Sequence, residues 1–562
     1  MRIVFKLLLL CASLAIGYAQ VADRLASFAG EGTDWVGLGL YGAVAGLCVA
    51  SLLIAAFLQR AWVRWSYAVL FAFGSLLVGG YQLVVAEHMS YEAFLNMSQA
   101  GGSFHEAWAQ HGSVMLLGFA EAALLLLGVG LGHGLQSRWL GWRAAWLPLV
   151  ITALVIAMMF QRGGEGGRGL PPSHIGLAYA AFHAGETLLS PVAERQDVAI
   201  QSGKPLAAQD IVLVVDESIA GNYLDINHSG GARSGLLGVE GAHNFGLAAA
   251  ISHCSASANQ TLRYGGTRDD YRRINAEMPS IWSYARAAGF ETVYIDAQRE
   301  GGAYQNLMDE AEMAAVDRWI QYDGVPVLER DHRAARDIAA YSRDGKRQFI
   351  FVNKVGAHFP IHDKFPDEFA RHQPMLPRGS YRDIVDTGER TGFGGQAQDW
   401  VRYRNSYRNT LDWNVGGFFD LLLAQADRQA MTLIYTADHG QDLHEDGGPS
   451  RDTHCSPEPE QAEGVVPLVV LDAPEGGAFD WAAAAARKAP TSHYRIFPTL
   501  LQLMGYPETA VTGAYGADLL SSERDPFTFN TRFNARLGRE PRWLQVDPDT
   551  LPTPPASDTR QD

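Results

Sequence analysis

Five apolar stretches, at residues 3–19, 36–58, 66–86, 113–133 and 144–160, crowd into the first 160 residues of a 562-residue chain. Each approaches the roughly 20 residues that a helix needs to cross a bilayer. Buried helices of a water-soluble domain are seldom so long and so poor in charge. Residues 1–160 are therefore expected to form a five-helix transmembrane anchor. The first stretch also reads as a signal peptide, because Arg2 and Lys6 lead its apolar core and Gly17-Tyr18-Ala19 makes a cleavage site. Cleavage after Ala19 would leave four spans and the same sidedness.

Basic residues in short loops set that sidedness. Arg2, Lys6, Arg60, Arg64, Arg138 and Arg143 fall on one side, whereas loops 20–35 and 87–112 hold Asp23, Glu31, Asp34, Glu87, Glu92 and Glu106. The amino end is then cytoplasmic and everything after residue 160 is outside. Glu121 falls inside the fourth span, where a carboxylate either marks a functional position or packs in neutral form between helices. Residues 161–204 are expected to be a glycine-rich linker ending at Pro171-Pro172, followed by an amphipathic helix over 173–192 at the membrane surface.

Nearly all the charge lies beyond the anchor, and the formal net charge of −16 excludes a nucleic-acid binder, which needs a basic face. The four cysteines match no zinc-finger or redox spacing. In an exported domain Cys254 and Cys455 can form one disulfide. From residue 205 to 545 strands and helices alternate. Strands are expected at 210–216, 291–296, 348–355, 431–437 and 465–471, with helices such as 279–288 and 407–424 between them. That pattern predicts an α/β domain with a largely parallel sheet. The Pro-rich residues 546–562 read as a disordered tail.

"IVLVVDESIAGNYLDIN", residues 211–227, runs a buried strand into Asp216, Glu217 and Ser218. Either carboxylate alone is as readily a helix cap as a ligand. The 348–355 strand delivers His358 and His362, the 431–437 strand delivers Asp438 and His439, and His454 follows. Ligands bind beyond the carboxyl ends of parallel strands, and carboxylates with imidazoles there suit a metal.

These segments resemble the membrane-anchored phosphoethanolamine transferases that modify lipid A, in the alkaline phosphatase/sulfatase-like superfamily. "VVDESIAGNYLDIN" is similar to the family's strand ending in a metal-binding glutamate, here Glu217. "GAHFPIHDKFP" resembles its Gly-Ser-His-Gly-Pro segment and places His358. "YRNT", residues 407–410, matches its Tyr-x-Asn-Thr helix, and "ADHGQDLHEDG" its Asp-His-Gly-Glu signature, placing Asp438 and His439 as metal ligands. His454 sits near a further family histidine, and "SHYRIFPTLLQLMGY" resembles the closing helix. The resemblance implies an alkaline-phosphatase-like domain in the periplasm, held to the cell inner membrane. The family's nucleophile is a threonine about forty residues after the glutamate. In "SHCSASANQTLR", 252–263, that count favours Ser257 over Ser255 and Ser218, as nucleophile and metal ligand together.

The chemistry so implied uses Zn2+, with Mn2+ as an alternative, to favour the serine alkoxide. The donor is a membrane phospholipid and the acceptor lipid A or an envelope glycan, with His358 and His454 neutralising phosphoryl oxygens or moving a proton. The protein is expected to work as a monomer. A phosphoglycerol transferase of the lipoteichoic-acid-synthase type, a membrane-bound phosphodiesterase and a non-catalytic binding module are the other readings. A sulfatase is not expected. "CSPEP", 455–459, has Pro459 where a formylglycine motif needs arginine, and it follows the Asp-His-Gly loop. The topology is open to a direct check: a phosphatase reporter fused after residue 162 should be active outside the cytoplasm and one fused near residue 62 should not.

Overall fold

In an apolar medium a backbone without charged neighbours has only its own carbonyls as partners, and it folds as helices. The computed structural model describes residues 1–28, 34–85, 88–99, 104–135, 141, 143–162, 164, 166–189, 195–206, 209–358, 361–378, 396–447, 453–456, 458–473, 479–534 and 540–554. The chain divides into two units, Met1–Pro191 and, chiefly, Val192–Phe533. The first contains α1 (Arg2–Ile16), α2 (Tyr18–Phe28), α3 (Trp35–Phe57), α4 (Ala61–Val85), α5 (Tyr91–Gln99), α6 (Phe104–Gly130), α7 (Leu147–Gln161) and α8 (Pro172–Leu189). Trp35–Phe57, Ala61–Val84, Gly112–Gly130 and Ala144–Gln161 are each long and apolar enough to cross a membrane. The expected first span is a broken one: α1 and α2 meet at Gly17 with a bend of 64° and make a fifth span only if counted together. Glu31, Glu87 and Arg138, used above for sidedness, lie outside the described residues.

α8 belongs to this bundle and does not lie apart as an amphipathic surface helix. Residues 173–175 and 177–179 are buried. A Cβ on Gly176 would stand 2.0 Å from the Gly74 carbonyl oxygen of α4, so the two backbones approach as only small residues allow. His174 then reaches across, its Nε2 2.7 Å from Ser51 Oγ of α3 and its ring stacked on Phe71 of α4. Lys6 Nζ donates to the carbonyls of Val129 and Leu131 at 2.8 and 2.7 Å, satisfying the otherwise unpaired end of α6.

The second unit is built on ten strands: β1 (Asp210–Asp216), β2 (Ala242–Ala249), β3 (Glu291–Asp296), β4 (Arg318–Gln321), β5 (Gln348–Asn353), β6 (Met431–Ala437), β7 (Val465–Leu471), β8 (Thr491–Ser492), β9 (Thr528–Asn530) and β10 (Trp543–Gln545). The first eight form one sheet in the order β4-β3-β5-β1-β6-β7-β2-β8. β1 lies in its middle, parallel to β5 and β6, and every residue of β1 is buried. That burial is why its sequence is a continuous apolar run without alternation. β7 runs antiparallel to β6 and to β2. All five expected strands are present. β2, β4 and the short β8–β10 carry too few apolar residues in period to be seen beforehand.

The carboxyl-terminal stretch corrects one expectation. Residues 546–554 pack against the domain: Val546 and Leu551 join Phe527, Phe529 and Val465 in a small apolar cluster, and Asn222 Nδ2 donates to Pro552 O at 2.7 Å. Two apolar anchors suffice to hold a proline-rich segment whose ordering entropy is already low. Residues 555–562 lie outside the described residues.

A buried ion pair fastens the strand that carries the site. Lys354 Nζ, just past β5, lies 2.5 Å from Asp216 Oδ2 at the end of β1, and it also donates to Asn414 O at 2.7 Å. Neither side chain has exposure. Burial pushes the Asp216 carboxyl up and Lys354 draws it back, leaving it at about 6. Removing one partner of such a pair strands the other charge. Lys354→Met should therefore destabilise the second unit by about 3–5 kcal/mol in denaturant unfolding, and Asp216→Asn in the same chain should restore much of the loss.

Candidate active site

The carboxyl ends of β1 and β6 bring the first three candidate ligands together. After β1 the chain turns sharply at Ser218, whose φ of 62° is left-handed. The turn is braced by Tyr407, whose hydroxyl accepts from Ala220 N and donates to Ser218 O, both at 2.8 Å. After β6, Asp438 Oδ1 accepts from the backbone of Ser218 at 2.9 Å and of His439 at 2.8 Å. Gly356, beyond β5, has to be glycine: a Cβ there would stand 2.3 Å from Asp216 Oδ1 and 2.6 Å from Glu217 O.

Glu217, Asp438 and His439 offer ligand atoms within 4.8 Å of one another, all buried. His439 Nε2 is 3.6 Å from both Glu217 Oε1 and Asp438 Oδ2. A tetrahedral cation with bonds near 2.0–2.1 Å separates its ligands by about 3.3 Å, so the spacing fits. Asp438 Oδ2 is buried with no hydrogen-bond partner, as a ligand atom awaiting a cation would be. His439 Nδ1 lies 2.8 Å from Gly440 O, which takes the ring proton and leaves Nε2 as the donor atom. The residues present fit zinc.

The serine hydroxyl that lies against both Glu217 and His439 is that of Ser255 and not of Ser257. Ser255 opens α9 (Ser255–Tyr264), and its Oγ lies 3.2 Å from Glu217 Oε1 and 3.1 Å from His439 Nε2. Ser257 is turned into the helix, where its Oγ donates to Cys254 O at 3.1 Å. Ser218 Oγ donates to Glu217 Oε1 at 2.9 Å, a supporting contact. The cysteine pair that the sequence left open is formed: Cys254, at the start of α9, is bonded to Cys455, next to His454. His454 stacks on His439 with ring centroids 4.4 Å apart. His358 is exposed at the same edge and interacts electrostatically with Glu217 and His454. His362 is buried.

The charges of this cluster hold one another. Burial works against the carboxylate of Glu217, but the nearby imidazoles of His439 and His358 keep it well below the usual range. Burial and then the neighbouring Glu217 charge push Asp438 up to about 7. Burial opposes a charged His439, yet Asp438 and Glu217 outweigh it and raise the ring to about 9. A divalent cation would replace that shared proton as the counter-charge.

One supporting group escaped the sequence reading. Gln298, beyond β3, donates from Nε2 to Glu217 Oε2 at 3.0 Å and to Lys354 O at 2.7 Å. Its only signal was its place after a strand, on the edge that also delivers the ligands. The Tyr-x-Asn-Thr segment proves to be a clamp: besides Tyr407, Asn409 Oδ1 accepts from Arg371 N and His372 N, and Thr410 Oγ1 donates to Ile361 O at 2.7 Å.

The fold is similar to that of the integral membrane lipooligosaccharide phosphoethanolamine transferase A (EptA) from Neisseria meningitidis. The TM-score is 0.65 at 17% identity, covering 90% of this chain and 96% of that one. The zinc complex of the periplasmic domain of EcEptC from Escherichia coli aligns at a TM-score of 0.47 and 13% identity, over 65% of this chain and 99% of that one. No curated protein matches the chain. The sulfatase family model matches residues 209–506, more than half of the sequence and a span that includes Glu217, Ser255, Asp438 and His439, and the chain belongs to the sulfatase family.

Proposed function

We propose that the protein transfers phosphoethanolamine from a membrane phospholipid to a cell-envelope acceptor, such as lipid A or a glycan, through a phosphorylated Ser255. The observation that carries this is the placement of Ser255 Oγ against Glu217 and His439 at the start of a helix. A helix start offers free N–H groups to phosphoryl oxygens. The shared fold of the anchored transferase supports the reading. Cys455 is in a disulfide, which closes it to formylglycine formation and speaks against sulfate-ester chemistry.

Glu217, Asp438 and His439 would hold zinc, which supplies the Lewis acidity that favours an ionised serine hydroxyl. Ser255 Oγ attacks phosphorus as the bond to the diacylglycerol oxygen breaks. An imidazole at the sheet edge, His358 or His454, takes the Ser255 proton and passes it to the leaving oxygen. The acceptor hydroxyl then attacks in line, gives up its proton to that imidazole, and frees Ser255. The anchor sits in the inner membrane with the exported unit in the periplasm, so that a lipid donor is always at hand.

Ser255→Ala should remove transfer by several orders of magnitude while metal content stays nearly intact, since the covalent route itself is lost. Ser257→Ala forfeits only a local bond and should cost activity little. Mass spectrometry of the full chain quenched with phosphatidylethanolamine should find the adduct on Ser255. An adduct on Ser257 would reassign the nucleophile, and transfer without any serine adduct would replace the two-step scheme with direct displacement. Transfer to water alone would make the protein a phosphodiesterase.

The metal reading has its own check. Asp438→Ala or His439→Ala should lower zinc content to near zero. Because His439 keeps a proton up to about 9 and Asp438 up to about 7 in the metal-free chain, zinc must displace protons. Its affinity should rise by up to tenfold per pH unit between 7 and 9 and more steeply below 7. Affinity independent of pH, measured by chelator competition, would remove these residues from the ligand set.

A further inference from the structure

Glu121 lies in the tenth position of the apolar segment Gly112–Gly130, and only 3% of it is exposed. Its two carboxylate oxygens are treated unequally. Oε1 accepts from Ser75 Oγ of α4 at 3.1 Å, whereas Oε2 is buried and has no hydrogen-bond partner. Ser13 of α1 spends its hydroxyl on the Glu121 backbone carbonyl at 3.1 Å and so does nothing for the carboxylate. Among the described residues only Ser75 answers the charge. A carboxylate held this way inside an apolar helix bundle is costly unless something else meets it.

There is room for that partner. Glu121 lines a cavity of about 110 Å³ where α1 breaks into α2 and α8 begins. Gly79 supplies part of the space, since a Cβ there would stand 2.8 Å from Glu121 Oε2. Two amides face the same cavity, Gln20 and Gln82, and Gln82 Nε2 is spent on His88 Nδ1 at 3.2 Å, which leaves its carbonyl oxygen as an acceptor. The remaining walls are apolar, from Ile16, Leu83 and Pro172.

We infer that this cavity binds a primary alkylammonium group. One carboxylate among apolar walls cannot supply the six or more oxygens of a calcium site. A primary ammonium needs only a few acceptors, and here Glu121 Oε2 and the Gln82 carbonyl are on offer, with apolar contacts for the adjoining methylenes. A quaternary ammonium has no N–H to give them. Such a group is carried by the headgroup of an aminophospholipid or by a free amine. The site is independent of the exported unit's chemistry and stands or falls separately from it.

The full chain in nanodiscs of phosphatidylcholine doped with phosphatidylethanolamine supplies the test, with retained lipid counted by mass spectrometry after detergent exchange. Phosphatidylethanolamine should be retained over phosphatidylcholine and over N,N-dimethyl-phosphatidylethanolamine. Glu121→Gln, which keeps the shape, should weaken that preference about 10- to 100-fold, the worth of one charge-assisted hydrogen bond. Gly79→Ala, which fills the space beside Oε2, should weaken it as well. Competition by free ethanolamine with no lipid retained would assign the site to a soluble amine. Equal retention of the three lipids with no ethanolamine binding overturns the inference, as does a preference unchanged in both variants. Transfer activity is scored separately, so its loss with lipid preference intact would count against the proposed function alone.

Discussion

Two carboxylates and an imidazole buried within 4.8 Å of one another are the constraint around which the second unit is organised. Isolated buried carboxylates repel, and desolvation penalises each. The chain meets this with fixed backbone dipoles and one shared cation position: Ser218 N and His439 N point at Asp438, while Gln298 and two serine hydroxyls point at Glu217. Such donors can be aimed this closely only if the strands that carry them do not slide. β1 is held in register by five residues of β5 and seven of β6.

Beneath that layer lies a second set of charges serving the first. Asp216 accepts from Glu217 N through Oδ1 and from Tyr435 through Oδ2, where Lys354 also binds. Asp331 in turn accepts from the backbone of Val355 and Gly356, fixing the exit of β5 that leads to His358. Neighbouring Asp216 and Glu217 thus have different tasks. The first is spent on holding strands together, and only the second faces the site.

Much of this could be read in the sequence because buried parallel strands are continuous apolar runs, and the residues just after them are where ligands bind. Glu217, Asp438 and His439 were legible in that way. Ser255 was not, because counting residues from Glu217 cannot say which serine opens a helix and which turns inward, and two positions of error reverse a side chain's direction on a helix. Gln298 was hidden by its neutral character. α8 looked like a surface helix because sequence periodicity does not report the close approach at Gly74 and Gly176. The Pro-rich terminus looked disordered because composition outweighs two apolar anchors, Val546 and Leu551, in any local reading.

The disulfide explains how an unusual helix start can hold Ser255 in place. Cys254 occupies the cap position of α9 but makes no capping hydrogen bond, where Ser, Thr, Asp or Asn would ordinarily tie the first turn down. Its bond to Cys455 does this covalently, closing a loop of 201 residues. In the chain-entropy account a loop of that size stabilises the fold by about 5 kcal/mol. The local consequence matters more. Cys455 N also donates to His253 O at 2.9 Å, so the segment bearing His454 is pinned to the one bearing Ser255 at two points. Ser255, His454 and His439 come from three separate stretches of chain, yet each is thereby fixed relative to the others before any substrate arrives. Such preorganisation suits the proposed group transfer, because motion between Ser255 and His454 would otherwise have to be frozen out at every turnover.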